Sequence, residues 1–110
     1  MSLTISRADK QNTRYTNLKA LGKSVLVSAG VAWLRLVTVN VSGGAANEID
    51  IYDTPNETVL AAGLGNRVAR IETWRSTAPY SLEYDVKLLS GLVVDLSGGV
   101  AADVTFSHSP

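Results

Sequence analysis

From Ser81 to Leu88 every second residue is apolar: Leu82, Tyr84, Val86 and Leu88 alternate with Ser81, Glu83, Asp85 and Lys87. This two-residue period belongs to a strand with one dry and one wet face, because a helix would scatter the charges around its circumference. The same alternation predicts strands at Glu48–Ile51, at Ala69–Thr73, where Arg70 and Glu72 are the polar partners, and at Asp103–Phe106. Lys23–Ala29 and Val31–Val41 are richer in Val and Leu and less regular. Such segments suit strands near a sheet centre, or strands that meet a partner on their second face. Turn-forming residues fall at Gly22, Gly30, Ser42-Gly43-Gly44, Asp53-Thr54-Pro55-Asn56, Gly63, Gly65, Ser90-Gly91 and Ser97-Gly98-Gly99. Short strands punctuated this regularly predict an all-β sandwich or barrel with antiparallel pairing.

One internal repeat is visible. Residues 39–49, Val-Asn-Val-Ser-Gly-Gly-Ala-Ala-Asn-Glu-Ile, match residues 94–104, Val-Asp-Leu-Ser-Gly-Gly-Val-Ala-Ala-Asp-Val, without a gap, an offset of 55 residues from Val39 to Val94. Each copy reads as strand, tight glycine loop, strand, with Gly-Gly supplying positive φ for a hairpin. Two readings stand. Either Ser-Gly-Gly is a common hairpin used twice, or two similar β modules pack face to face with pseudo-symmetry.

The start of the chain differs in character. Ser6–Arg14 is polar, mildly basic and without a sustained period, which predicts an extended N-terminal arm over residues 1–20 ahead of a single sandwich domain at 21–110. A chain of 110 residues with 45% hydrophobic content has material for one core and not two. Ten basic and ten acidic residues cancel, so no net field favours nucleic acid or anionic lipid, and protein partners are expected. The absence of cysteine excludes disulfides and thiolate metal sites. The first residues lack the apolar core of a signal peptide, and no stretch approaches the roughly 20 apolar residues of a membrane span, so neither export nor a membrane is expected. The sequons at Asn40 and Asn56 are short enough to arise by chance.

Catalysis needs a nucleophile with its base, paired carboxylates in a cleft, or metal ligands. His108 is the sole histidine and stands near the chain end, where a solvated tail residue is the simplest expectation. Asp50, Asp53, Glu57, Glu83, Asp85, Asp95 and Asp103 lack the spacing of a dedicated calcium loop and read mainly as wet strand faces. Gly63-Leu64-Gly65-Asn66-Arg67-Val68 lacks the third glycine and the βαβ setting of a dinucleotide fingerprint and reads as a turn. No enzyme activity, cofactor or metal is therefore expected. Trp33, grouped by alternation with Arg35, Val37, Val39 and Val41, and Trp74, grouped with Val68, Arg70 and Glu72, sit among mixed neighbours. Such a Trp caps a core, contacts a protein or stacks on a sugar.

Three segments together resemble small virion proteins of tailed bacteriophages: residues 23–30 with the strand after them, Gly43–Asp53, and Ser90–Thr105. The likeness spans roughly Lys23–Phe106 and includes capsid cement or decoration proteins with jelly-roll-like sandwiches. It implies a jelly-roll-like fold, a place on the outer capsid surface after synthesis in the host cytoplasm, and the major capsid protein as partner, with self-association as dimer or trimer. A tail or fibre module and a carbohydrate-binding sandwich are the alternatives. Expected protein-contact residues are Arg7, Arg14 and Tyr15 on the arm, and Trp33, Arg35 and Trp74 on strand faces.

Overall fold

A computed structural model describes residues 13–19, 22–63 and 65–110. The alternating segment at 81–88 is a strand, as are the other segments selected by period or by Val and Leu content, except that the one expected to run to Thr73 ends at Glu72. In chain order the elements are β1 (Arg14–Leu18), β2 (Lys23–Ala29), β3 (Ala32–Val41), β4 (Glu48–Asp53), a short helix α1 (Glu57–Ala61), β5 (Asn66–Glu72), a 3-10 turn (Thr73–Arg75), β6 (Tyr80–Leu88), β7 (Gly91–Ser97) and β8 (Asp103–Ser109). They form two four-stranded antiparallel sheets, ordered β1-β8-β3-β6 and β2-β7-β4-β5. The first strand pairs with the last, the second with the seventh, the third with the sixth and the fourth with the fifth. This is one long hairpin rolled up, the strand order of a jelly roll.

The core lies between the sheets. Leu34, Val37, Val39, Val104 and Phe106 come from one sheet, and Ile49, Ile51, Leu92, Val94 and Leu96 from the other. Each is almost fully buried, and each contributes about 1.5–3 kcal/mol relative to exposure. β7 is buried on both faces at Leu92, Val93 and Val94, so its two-residue period is hidden in a continuous apolar run.

Three expectations are corrected. First, the arm does not extend through residue 20: Arg14–Leu18 pairs along β8, with Leu18 packed against the core. Edge strands need main-chain partners on one side only, so a polar segment with a single inward Leu suffices. The rest of the expected arm, residues 1–12 with Arg7, lies outside the described residues.

Second, the Ser-Gly-Gly loops are not hairpins. The loop at 42–47 carries the chain from β3 to β4 and the loop at 98–102 from β7 to β8, each crossing from one sheet to the other. The repeat is nonetheless real in space. Its copies run antiparallel, Val39 pairing Val104 in one sheet and Ile49 pairing Leu96 in the other, and the Gly44 amide donates to the Val100 carbonyl (2.9 Å). Positive φ occurs at Gly98 and Gly99 but not at Gly43 and Gly44; in the first loop Ala46 takes it instead.

Third, the expected face of Trp33, Val37, Val39 and Val41 does not form. A bulge between Leu34 and Leu36 reverses the alternation, so Val37 and Val39 join Ala32 and Leu34 in the core.

Candidate interaction surface

The outer face of β1-β8-β3-β6 is built from small polar side chains in register. Asn17 on β1 and Asn40 on β3 flank β8 from opposite sides. The Asn17 amide donates to Asp103 Oδ1 (2.6 Å) and Thr105 Oγ1 (3.1 Å), and the Asn40 amide to the same two atoms (3.1 and 3.0 Å). Lys19 Nζ stands 3.8 Å from Asp103, and Thr38 on β3 meets Ser81 on β6 through their hydroxyls (3.0 Å). The two asparagine amides, with a smaller effect from Lys19, hold the Asp103 carboxyl below its ordinary value. This ladder ties all four strands together while leaving the face low and polar.

Aromatic anchors flank it. Tyr15 on β1 is 71% exposed. Trp33, near the start of β3, lies opposite Lys87 on β6, with Arg35 Cζ at 5.6 Å and Lys87 Nζ at 5.9 Å from its ring centre. Arg35 also pairs with Asp85 at 3.6 Å. Past the far end of β3, about 25 Å away at strand rise, Asn40, Val41 and Ser42 border an open groove of about 500 Å³ whose other wall runs from Trp74 to Ala78. Val41 and Trp74 are exposed there, and the Arg75 guanidinium lies over the Trp74 ring at 4.5 Å, held by both oxygens of Glu72 (3.2 and 3.3 Å).

Trp74 is not on a strand face with Val68, Arg70 and Glu72 as expected. β5 ends at Glu72 because the Thr73 amide turns to the Asn47 carbonyl (3.2 Å) and opens the 3-10 turn. Thr73 and Asn47 form a buried hub. The Thr73 hydroxyl donates to Asn47 Oδ1 and accepts from the Gly43 amide (3.2 Å), while the Asn47 amide donates to the carbonyls of Ser97 (3.3 Å) and Gly98 (3.0 Å). The Tyr80 hydroxyl closes the hub on the Thr73 carbonyl (3.0 Å). Both Ser-Gly-Gly loops and the Trp74 turn thereby share one support.

Of the contact residues expected from sequence, Tyr15, Trp33 and Arg35 fall on this outer face and Trp74 at its end. Arg14 does not, because it shares the opposite, inward row of β1 with Thr16 and Leu18, beside His108. Asn17, Lys87, Asp103 and Thr105 also line this face but carry no contact signal in the sequence. Their only signal was alternation, which marks a wet face without saying what meets it.

His108 overturns its expectation as a solvated tail residue. It is buried, because the last strand is inserted between β1 and β3. Burial, and then the charge of Arg14, push its imidazole below the ordinary value.

The outer face of the other sheet is a salt-bridged surface. Asp50, buried against β5, receives Arg70 through Nε (2.8 Å) and Nη2 (3.4 Å) and has Arg67 at 3.9 Å. Burial, with the charges of Asp50 and Asp95, raises the Tyr52 hydroxyl. The sequon residues have structural bonds: Asn40 in the ladder, and Asn56 capping α1 by accepting from the Val59 amide (2.9 Å). Among the described residues no three His, Cys, Asp or Glu side chains are grouped to hold a metal ion, and no helix is long and apolar enough to cross a membrane.

No protein family, curated protein or solved structure matches the chain.

Proposed function

We propose that this protein is a structural virion component of the capsid cement type, which binds the outside of a phage shell and bridges neighbouring major capsid subunits. The observation that carries the reading is the outer face of β1-β8-β3-β6: a polar ladder locked across four strands, bounded by Trp33 with Arg35 and Lys87 and by Trp74 with Arg75. Trp and Arg are the residue types that dominate protein interfaces, and pre-ordered side chains lose little entropy on docking. The jelly-roll order supports it too, since viral capsid domains share that architecture. Sugar stacking is less well served, because the Arg75 guanidinium already covers one face of Trp74.

A cement protein stabilises a shell by binding the assembled lattice in preference to free subunits, and symmetry multiplies a modest contact over many copies. The partner is then the major capsid protein, the location is the outer capsid surface, and the bridging unit is a dimer or trimer of this chain.

The test is the ratio of this protein to the major capsid protein in purified particles, by quantitative mass spectrometry. A fixed ratio of one, or a simple fraction of it, is expected. A few copies per particle would move the protein to the tail or fibre, and absence from particles would overturn the proposal. Trp33→Ala should weaken co-sedimentation with shells about 30-fold, the effect of losing a contact of about 2 kcal/mol, while leaving the free protein folded.

A further inference from the structure

We propose that β1 is an acid-released strand, undocked from β8 when His108 gains a proton. The imidazole is buried near the end of β8, an inner strand of its sheet, with Arg14 directly across from it on β1 and Leu34 on β3. Nε2 meets the Thr16 hydroxyl at 3.0 Å, whereas Nδ1 is buried with no hydrogen-bond partner among the described residues. A neutral ring tolerates this arrangement. An imidazolium does not, because it must place a second N–H where no described residue accepts it, and it faces a guanidinium.

Among the described residues no acid stands ready to compensate. β1 contains none, β3 contributes apolar Leu34, and the single acid of β8, Asp103, lies on the outer face with Asn17 and Lys19. The end of the facing sheet level with His108 turns Val27 and Leu92 to the core, and the carboxylate there, Asp53, is already held by the amides of Leu89, Ser90 and Gly91; Asp95 lies on the other side of that sheet and Lys23 at its far end.

The least costly relief is to part with β1, which is five residues long, lies at an edge, and carries both the Thr16 bond and the Arg14 charge. Histidine in an undocked strand pair regains its ordinary value near 6.5, above that of the buried ring. The open form therefore binds more protons than the docked form. Docking is complete above about pH 6.5 and is lost progressively as pH falls below it.

The test is amide hydrogen exchange of the full chain between pH 7.5 and 4.5, corrected for intrinsic rates. β1 protection should fall by up to tenfold per pH unit below about 6.5, the limit for one coupled proton, while β7 stays protected. The chain has one histidine, so its ring resonances report His108 without ambiguity and should titrate below the ordinary value. In His108→Gln, β1 protection should be flat over this range, since Asp103, the other acid-sensitive contact of β1, titrates lower. Constant β1 protection in the wild type, loss of β7 in step with β1, a ring titrating at or above 6.5, or the same pH response in His108→Gln would each overturn the proposal. If the variant does not fold, the wild-type exchange and ring titration decide.

Discussion

Replacing Asn47 by Ala removes the side chain on which both crossover loops and the Trp74 turn converge. Asn47 is 1% exposed, and its loss strands three groups: the carbonyls of Ser97 and Gly98 and the hydroxyl of Thr73. The three are not equal. Gly98 is exposed and Ser97 half-buried, so water can reach their carbonyls, and each lost bond costs about 1 kcal/mol. Thr73 is fully buried; it still accepts from the Gly43 amide but loses its acceptor, a cost of about 1–2 kcal/mol. The total is about 3–4 kcal/mol, a large share of the roughly 5–15 kcal/mol that holds a domain folded. At about 4 °C per kcal/mol for a domain of this size, the midpoint should fall by about 12–16 °C.

Urea and thermal unfolding followed by Trp fluorescence measure this directly, because Trp74 adjoins the hub. Thr73→Val should cost less, and the double variant should fall short of the sum by about 1 kcal/mol or more, as expected for partners in one network. A loss below about 1 kcal/mol for Asn47→Ala, or strict additivity with Thr73→Val, would refute the hub as a buried cooperative unit.

Two further outcomes follow from the loops. Gly98→Ala should lose well over the loss of Gly30→Ala in urea unfolding: both have positive φ (+77° and +75°), but a Cβ at residue 98 would stand 2.2 Å from the Ala46 carbonyl oxygen and one at residue 30 meets nothing. Gly30→Ala isolates the left-handed backbone cost of about 1–2 kcal/mol, and equal losses would show that the two loops do not press together. Asp53→Ala should cost about 1–2 kcal/mol and raise hydrogen exchange at 89–91, because the Asp53 carboxylate accepts from the amides of Leu89 (3.0 Å), Ser90 (2.8 Å) and Gly91 (3.3 Å). Unchanged exchange at those amides would count against this anchor.

How far the fold was legible depended on how much of each strand's environment was local. β6 announced itself because one face is wet and one dry, β4 because its polar and apolar side chains alternate although Asp50 is buried, and β2 because Val and Leu run between clear turns. β1 was hidden, since an edge strand with a single inward Leu carries little period, and α1 was missed because five residues set by an Asn56 cap lie inside what reads as a turn. The bulge in β3 is a two-strand property: Asp85 at φ +47° on β6 and the slip between Leu34 and Leu36 accommodate each other, and neither segment shows it alone. The burial of His108 is hidden from the sequence for the same kind of reason. Nearness to the chain end says nothing about whether the last strand lies at an edge or, as here, in the middle of a sheet. For the surface, the aromatic residues were visible, but the ladder joining them needs the register of β1, β8 and β3, which periodicity does not encode.

The repeat shows why the two ends of the β3–β8 region are not equivalent. An offset of 55 residues carries Asn47 onto Ala102, which is also buried, so the two loops share a path but only the first carries an amide. That single amide bonds to carbonyls of the second loop and supports Thr73, and Thr73 is the residue from which the Trp74 turn begins. Pseudo-symmetry thus supplies two loops that pack against each other, and its breakage at one position supplies a fixed mount for an exposed aromatic. The β1 side of the same sheet has no such mount: it is held by the ladder outside and by the Thr16–His108 bond inside. Under the proposed function, Trp33 and Trp74 can therefore stay in place as anchors while β1 responds to acid. On this geometry, in a Trp33→Phe background where Trp74 is the sole indole, loss of β1 protection at low pH should leave the fluorescence unchanged, and Asn47→Ala should alter it without moving the His108 titration.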